Sequence, residues 1–173
     1  MGGTLTTRVT HLEMHTPPAQ RVHPPLGFKL ALMRAEAIPV HFYRYLYEQI
    51  GRAHHWQLRR TMNDAELEAT LHAATTHVEV LYCDGAPAGF FELDLAAMPE
   101  TAEIKYFGIV PSFQGRGLSR FLLSAAVFQA WSARPGAVTI ETNTLDSPRA
   151  LQLYQKIGFA PTAWWEETIE AWD

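Results

Sequence analysis

Cysteine is nearly absent: Cys83 is the only one in 173 residues, so no internal disulfide is available, which fits a reducing compartment. Long apolar runs are missing too. No stretch reaches the ~20 residues of a membrane-spanning helix, and no basic segment leading into an apolar core stands at the start. Together these absences predict a cytoplasmic protein with no membrane partner. Clustered positive charge is the third lack. Fourteen Lys and Arg face eighteen Asp and Glu, a formal net charge of -4, and the basic residues are scattered. A nucleic-acid backbone needs concentrated cations, so nucleic acid is excluded as a partner, and a cationic acceptor is tolerated better than a polyanion. His11, His15, His54 and His55 stand in neither a His-Glu-x-x-His nor a Cys-x-x-Cys setting, so no metal site is expected.

What is present is a globular composition, 47% hydrophobic and 18% charged, in a length that suits one domain. Pro17, Pro18, Pro24 and Pro25 interrupt regular structure early, so residues 1–27 are expected as an extended N-terminal arm and 28–173 as the domain. Phe28 to Met33 suits a short strand. Val40, Tyr43, Tyr47 and Ile50 have helical spacing closed by Gly51, and a second helix runs through Leu67 and Leu71, capped by Asn63 or Asp64 with Glu66 in the capping-box position. Val78, Val80 and Tyr82 alternate up to Asp84-Gly85, a hairpin signal, and a second strand follows from Ala88 to Leu95. Ala102 to Val110 predicts a third strand, Leu118 to Phe128 an amphipathic helix stopped by Pro135 and Gly136, and Val138 to Thr142 another strand. Pro148 to Ile157 reads as a helix capped by Ser147 or Asp146, and Phe159 to Ile169 as a last strand. Strands bracket helices, so the class is α/β with a mixed sheet.

The most informative segment is the turn Val110-Pro111-Ser112-Phe113-Gln114-Gly115-Arg116-Gly117-Leu118-Ser119. A strand ends, two glycines allow close backbone approach, and a helix begins with unpaired N–H groups. Such amides, with the positive end of the helix dipole and Arg116, suit a pyrophosphate. No Gly-Lys-Ser or Gly-Lys-Thr follows, so this is not a Walker loop, and the triple-glycine dinucleotide fingerprint is absent. The turn resembles the pyrophosphate signature of the GNAT N-acetyltransferase superfamily, in which Gln or Arg, two residues, Gly, one residue, and Gly or Ala follow one another. Gln114, Gly117 and Ser119 hold those places, Ser119 replacing the usual Gly or Ala. Downstream, Ser147, Ala150, Tyr154, Gly158 and Phe159 are similar to the family's Asn-x-x-Ala-x-x-x-Tyr helix followed by Gly-Phe, with Ser147 where Asn is usual. The resemblance covers about residues 78–159. It implies a single-domain fold with a largely antiparallel, mixed central sheet flanked by helices, and acetyl-CoA as acyl donor.

The same resemblance implies that the pantetheine arm runs beside Phe107, Gly108, Ile109 and Val110, that Gln114, Gly115, Arg116, Gly117, Leu118 and Ser119 hold the pyrophosphate, and that Ser147 and Ala150 lie on the cofactor side. Acetyl transfer to an amine needs a base, because an alkylamine near pKa ~10 is protonated at neutral pH, and an acid for the departing thiolate. Glu103, eleven residues before Gln114, occupies the offset of the base in histone-type members. Period-two alternation places it on one strand face with Lys105, Phe107 and Ile109. Glu92 on the preceding strand is the second candidate base, and Tyr154 the candidate acid. The aromatic segment from His41 to Tyr47, with His54, His55 and Trp56, lines either an acceptor pocket or a helix core face. The function expected is transfer from acetyl-CoA to a small-molecule primary amine in a ternary complex, since Cys83, the one thiol, lies far from both motifs in sequence. A protein N-terminus or lysine as acceptor, and a non-catalytic acyl-CoA-binding module, are the alternatives. The aromatic C-terminal end, with Trp164, Trp165 and Trp172, suits a homodimer interface or a cap on the sheet.

Overall fold

The computed structural model describes residues 2–172; Met1 of the expected arm and Asp173 of the expected domain lie outside the described residues. Seven strands, β1 (Thr4–Met14), β2 (Leu30–Arg34), β3 (Thr76–Cys83), β4 (Ala86–Asp94), β5 (Thr101–Ile109), β6 (Ala137–Asn143) and β7 (Ala160–Glu170), form one sheet in the order β2-β3-β4-β5-β6-β1-β7. Every neighbouring pair is antiparallel except β5 with β6. Helices α1 (Val40–Gly51) and α2 (Asp64–Leu71) cover one face, and α3 (Leu118–Ser132) and α4 (Ala150–Ile157) the other. The mixed, largely antiparallel sheet flanked by helices agrees with the expected fold class. Among the described residues no helix is long and apolar enough to cross a membrane.

Local chemistry explains where the helices start. Pro39 sits at the N-cap of α1 in extended conformation, and Tyr43, Leu46, Tyr47 and Ile50, recurring every three or four residues, form the buried stripe. Of Asn63 and Asp64, Asn63 caps α2: its Oδ1 accepts from the Glu66 N–H at 2.9 Å while the Asn63 N–H donates to Glu66 Oε2 at 3.1 Å, a capping box worth about 1 kcal/mol. The start of α4 departs from expectation. Its N-cap is Arg149 rather than Ser147 or Asp146, because the Asp146 carboxylate is engaged upstream, accepting from the Thr142 hydroxyl at 2.6 Å and the Asn143 N–H at 2.9 Å.

Residues 4–14 are not part of an arm. They form β1, which lies inside the sheet between β6 and β7 and sends Val9, Leu12 and Met14 into the core. Only the proline-rich stretch after Met14 is extended, crossing α3, where the Val22 N–H donates to Ser124 Oγ at 2.9 Å and Arg21 lies 4.2 Å over the Phe128 ring.

Two irregularities of β5 shape the site. The register against β4 shifts between Glu92 and Leu93, whose partners are Tyr106 and Ile104, so Lys105 is an extra residue. The bulge reverses the alternation, and Glu103 therefore does not share a face with Phe107 and Ile109: those two pack with Ile104 on the α3 side, whereas Tyr106 joins the α1 layer. The second irregularity is a split. β5 and β6 pair only from Thr101↔Ala137 to Ile104↔Ile140, yet β5 continues to Ile109 beside β4 and β6 to Asn143 beside β1.

Candidate active site

The split leaves one edge of Phe107, Gly108 and Ile109 without a strand partner, a groove able to take an extended chain as an added strand. Val110 follows the last residue of β5, its N–H donating to Ala88 O at 2.8 Å and its side chain buried; by alternation Gly108 also faces β4, so the free backbone groups of this edge are those of Phe107 and Ile109. Gly108 is required for packing as well as approach, because a Cβ there would collide with the Ile50 Cγ2 methyl of α1. At the mouth of the split the chain makes a 3₁₀ turn at Pro111–Phe113, Gln114 Nε2 donates to Ile109 O at 3.4 Å, and Gly115 and Gly117 take φ of +80° and +77°. Gly117 is the N-cap of α3, and no side chain caps that helix. The first-turn amides, at Leu118 and Ser119 among others, are left for an anion.

Arg116 is turned away from the role expected of it. Its guanidinium packs 4.9 Å over Phe113 and 5.5 Å over Phe28, with Nη1 3.9 Å from Cys83 Sγ. Basic charge near the loop comes instead from Arg120 and Lys156, which line a cavity of about 200 Å³ between the proline-rich stretch, α3 and α4. Ser147 is exposed, its Oγ accepting from the Arg149 N–H at 3.4 Å, and Ala150 packs against the α3 core.

Tyr154 lies beside the split, its ring edge-on to Phe107 at 6.4 Å. Burial, followed by the nearby Asp146 carboxylate, pushes its hydroxyl well above the usual tyrosine value, so it stays protonated and able to donate. Glu103 pairs with Lys105 at 3.6 Å with about a third of its side chain exposed. Sequence reasoning missed its neighbour Glu141, the first residue of β6 beyond the last parallel pair and therefore at the vertex of the split. The Glu141 carboxyl, 39% exposed, is raised by partial desolvation and by the Glu103 charge, against the opposing pull of His11, 3.8 Å away, and of Lys105. The available signal was the one charge in β6, a strand otherwise of apolar residues, threonines and Asn143.

Glu92 is fully buried and both its oxygens are used: Tyr43 Oη donates to Oε1 at 2.5 Å and Arg59 Nη2 to Oε2 at 2.5 Å. It is not free to act as a base. Around it, Tyr43, Tyr47, Trp56 and Tyr106 form a contiguous aromatic cluster, so the segment from His41 is in part a helix core face. Tyr43 and Tyr47 also line a cavity of about 210 Å³ beside α1, with Arg59, Arg60 and Trp172. His54, just after α1, bonds Leu145 O at 3.0 Å and so ties the α1 side to the β6–α4 loop across the split.

A family model described as an acetyltransferase (GNAT) domain matches residues 74–161, half of the chain. No curated protein matches. Solved structures of similar fold include a tandem GNAT protein from the clavulanic acid biosynthesis pathway, at 18% identity and TM-score 0.67, covering 96% of this chain and 54% of that one. A GCN5-related N-acetyltransferase from Sphaerobacter thermophilus matches at 15% identity and TM-score 0.69, covering 95% and 52%. One from Kribbella flavida matches at 17% and 0.62, covering 98% and 60%. The chain thus spans little more than half the length of these proteins, and at such identities the likeness is one of fold.

Proposed function

Because this chain belongs to the GNAT acetyltransferase family, we propose that it is a cytoplasmic N-acetyltransferase that moves an acetyl group from acetyl-CoA to the primary amine of a small molecule by direct attack. The observation that carries the reading is the split between β5 and β6, which runs from a glycine turn with uncapped helix amides to a vertex holding two carboxylates. Three features support this donor, although Arg116 is turned away from the loop. The Gly115 and Gly117 turn admits a pyrophosphate, the free edge of Phe107 to Ile109 admits an amide-bearing arm, and Arg120 and Lys156 offer cations farther out. Acetyl-CoA supplies an activated thioester; the rest is the chain's own work.

Backbone amides on the open edge of β5 hold the carbonyl oxygen, where charge develops. The carboxylates at the vertex, Glu141 with Glu103, take a proton from the incoming ammonium, and Tyr154 gives one to the departing sulfur. Each carboxylate must be ionised to act, and Glu141 is raised by partial desolvation and by Glu103. The acidic limb of kcat/KM is therefore expected at a higher pH than a free glutamate would give, and Glu141→Gln should lower kcat by ~10²- to 10⁴-fold. A cavity of about 210 Å³ beside the aromatic cluster favours a small acceptor over a protein one.

The test is release of CoA from acetyl-CoA with mass detection of product across pooled amino acids, polyamines, aromatic amines, aminoglycosides and basic peptides. An acetylated small amine is the expected result. Acetylation of peptides alone would move the reading to a protein acceptor. Cofactor-dependent stabilisation against heat without any product would favour a binding module.

A further inference from the structure

Lysine is scarce in this chain. Of the fourteen Lys and Arg only Lys29, Lys105 and Lys156 are lysines, and arginine makes up the other eleven. Lys29 and Lys156 are exposed, whereas Lys105 is half-buried. Its place in β5 is singular as well. The bulge leaves Lys105 without a partner on β4, and the parallel pairing, which ends at Ile104↔Ile140, leaves it without one on β6. Every other residue of β5 is paired on at least one side. Lys105 is thus to β5 what Glu141 is to β6, the first residue past the last parallel pair, and the two flank the closed end of the split.

A bulge frees its residue from the ladder and re-aims the side chain, a device common beside active sites. Here the side chain is aimed at the carboxylates: Lys105 Nζ lies 3.6 Å from Glu103, and its charge acts on Glu141. The closed end of the split therefore holds an ammonium beside the same two carboxylates that the proposed mechanism uses to deprotonate an amine. That ammonium is loosely held, since 3.6 Å is too long for a hydrogen bond. Phe107, whose backbone groups are free on the open edge, stands two residues farther on, about 7 Å along the strand, an interval that a four-methylene side chain spans. Arginine could not serve at this place, because a guanidinium keeps its proton, whereas a lysine gives one up where its surroundings favour the neutral amine.

We infer that Lys105 is itself an acetyl acceptor, modified by its own chain from acetyl-CoA when no amine substrate fills the split. This rests on the proposed donor and on the proposed role of the vertex carboxylates. The ammonium gives one proton to Glu103 or Glu141, and the neutral Nζ attacks the thioester carbonyl carbon. The C–N bond forms and the C–S bond breaks. Tyr154 protonates the departing sulfur and recovers its proton from the acylated nitrogen, so the products are acetyl-lysine, the CoA thiol and one proton left to solvent. An amide does not reverse readily, so each chain reacts once and the cation at the vertex is erased. Facing Glu141 are Glu103 and Lys105 from β5 and His11 from β1, with Glu13 beyond it. Lys105 is one of the two groups that pull the Glu141 carboxyl down, so its acetylation lets that carboxyl rise and costs rate on the acidic side of the pH profile.

The test incubates the full chain with acetyl-CoA and no added amine, and follows acetylation of each of the three lysines by peptide mass mapping. Lys105 should react at least tenfold faster than Lys29 or Lys156 and reach one acetyl group per chain. Glu103→Gln and Glu141→Gln, tried separately, should each slow Lys105 by ~10²-fold and leave the other two lysines unchanged. In a second readout, prior incubation with acetyl-CoA should move the acidic limb of kcat/KM for an added amine to higher pH in wild type and not in Lys105→Arg, which keeps the charge and takes no acetyl group. Equal rates at all three lysines, or a Lys105 rate indifferent to both carboxylates, is passive chemistry and overturns the inference; transfer to a pooled amine in the same preparation then leaves the proposed function standing. Selective acetylation of Lys105 with no pooled amine accepted upholds the inference and removes the small-molecule acceptor. Stabilisation by acetyl-CoA with acetyl found on neither Lys105 nor any amine overturns both.

Discussion

Glu92 illustrates how little a residue's type says about its role until its neighbours are known. Read along β4 it is a carboxylate among aromatics and a fair candidate base; in the fold it is a buried anion with both oxygens bound, by Tyr43 and Arg59. Burial and then the adjacent carboxylate hold the Tyr43 hydroxyl well above its usual pKa, so the phenol keeps its proton through the physiological range. Removing the anion strands the Arg59 guanidinium inside the protein. Glu92→Ala is therefore expected to cost about 3–5 kcal/mol, measured as a lower urea midpoint at unchanged slope, while replacing Glu92 and Arg59 together by apolar residues should recover most of the loss. A catalytic Glu92 would show the reverse, normal stability with lost turnover. The partnership was illegible in the sequence because Arg59 stands 33 positions away in a loop with no periodicity to mark it. By contrast Tyr154, Gly117 and Gln114 were legible, since each sits at a fixed offset within a local motif.

At the scale of elements, nearly every helix and strand could be read from the chain, because caps, turn residues and apolar periods are local signals. The Asn63 capping box, the Asp84-Gly85 turn and the end of α3 ahead of Pro135 and Gly136 are of this kind. What escaped were features decided between strands. The extra residue Lys105 reverses the faces of β5, and no pattern within β5 announces it, because its cause is the register with β4. β1 escaped for a related reason: apart from Leu5, Leu12 and Met14 its residues are polar or β-branched, and its place between β6 and β7 makes it structural. The contact of α1 with β5 tests this level directly. Gly108→Ala puts a methyl into Ile50, so α1 must move away from the open edge of β5. The expected penalty is ~1–3 kcal/mol from overpacking, seen as a fall in Tm of about 2–4 °C for each kcal/mol in a chain of this size. Ile50→Ala in the same chain should relieve it. If Gly108→Ala melts like wild type, the close approach of helix and strand is not as described.

At the scale of the whole molecule, the unbalanced feature is β7. It closes the sheet by pairing with β1 over ten residue pairs, and its other edge has no partner among the described residues. Almost all its side chains are exposed, with Trp164 at 62% and Trp165 at 36%. Long edge strands with apolar faces invite pairing with another chain, and proteins usually blunt them with charge, proline or a covering element. Here Pro161 blunts only the start, and Glu166 and Glu167 are engaged locally, with Arg8 and with Trp165 Nε1. We therefore expect a second copy of the chain to cover this flank, giving a homodimer of about twice 19.5 kDa in light scattering. Trp164→Glu should shift the mass to the monomer without lowering acetyl-CoA binding, because β6 and β1 stand between β7 and β5 and β7 takes no part in the split. A wild-type monomer at micromolar concentration would leave the flank uncovered by a second copy. A dimer indifferent to Trp164→Glu would place the contact elsewhere on the surface.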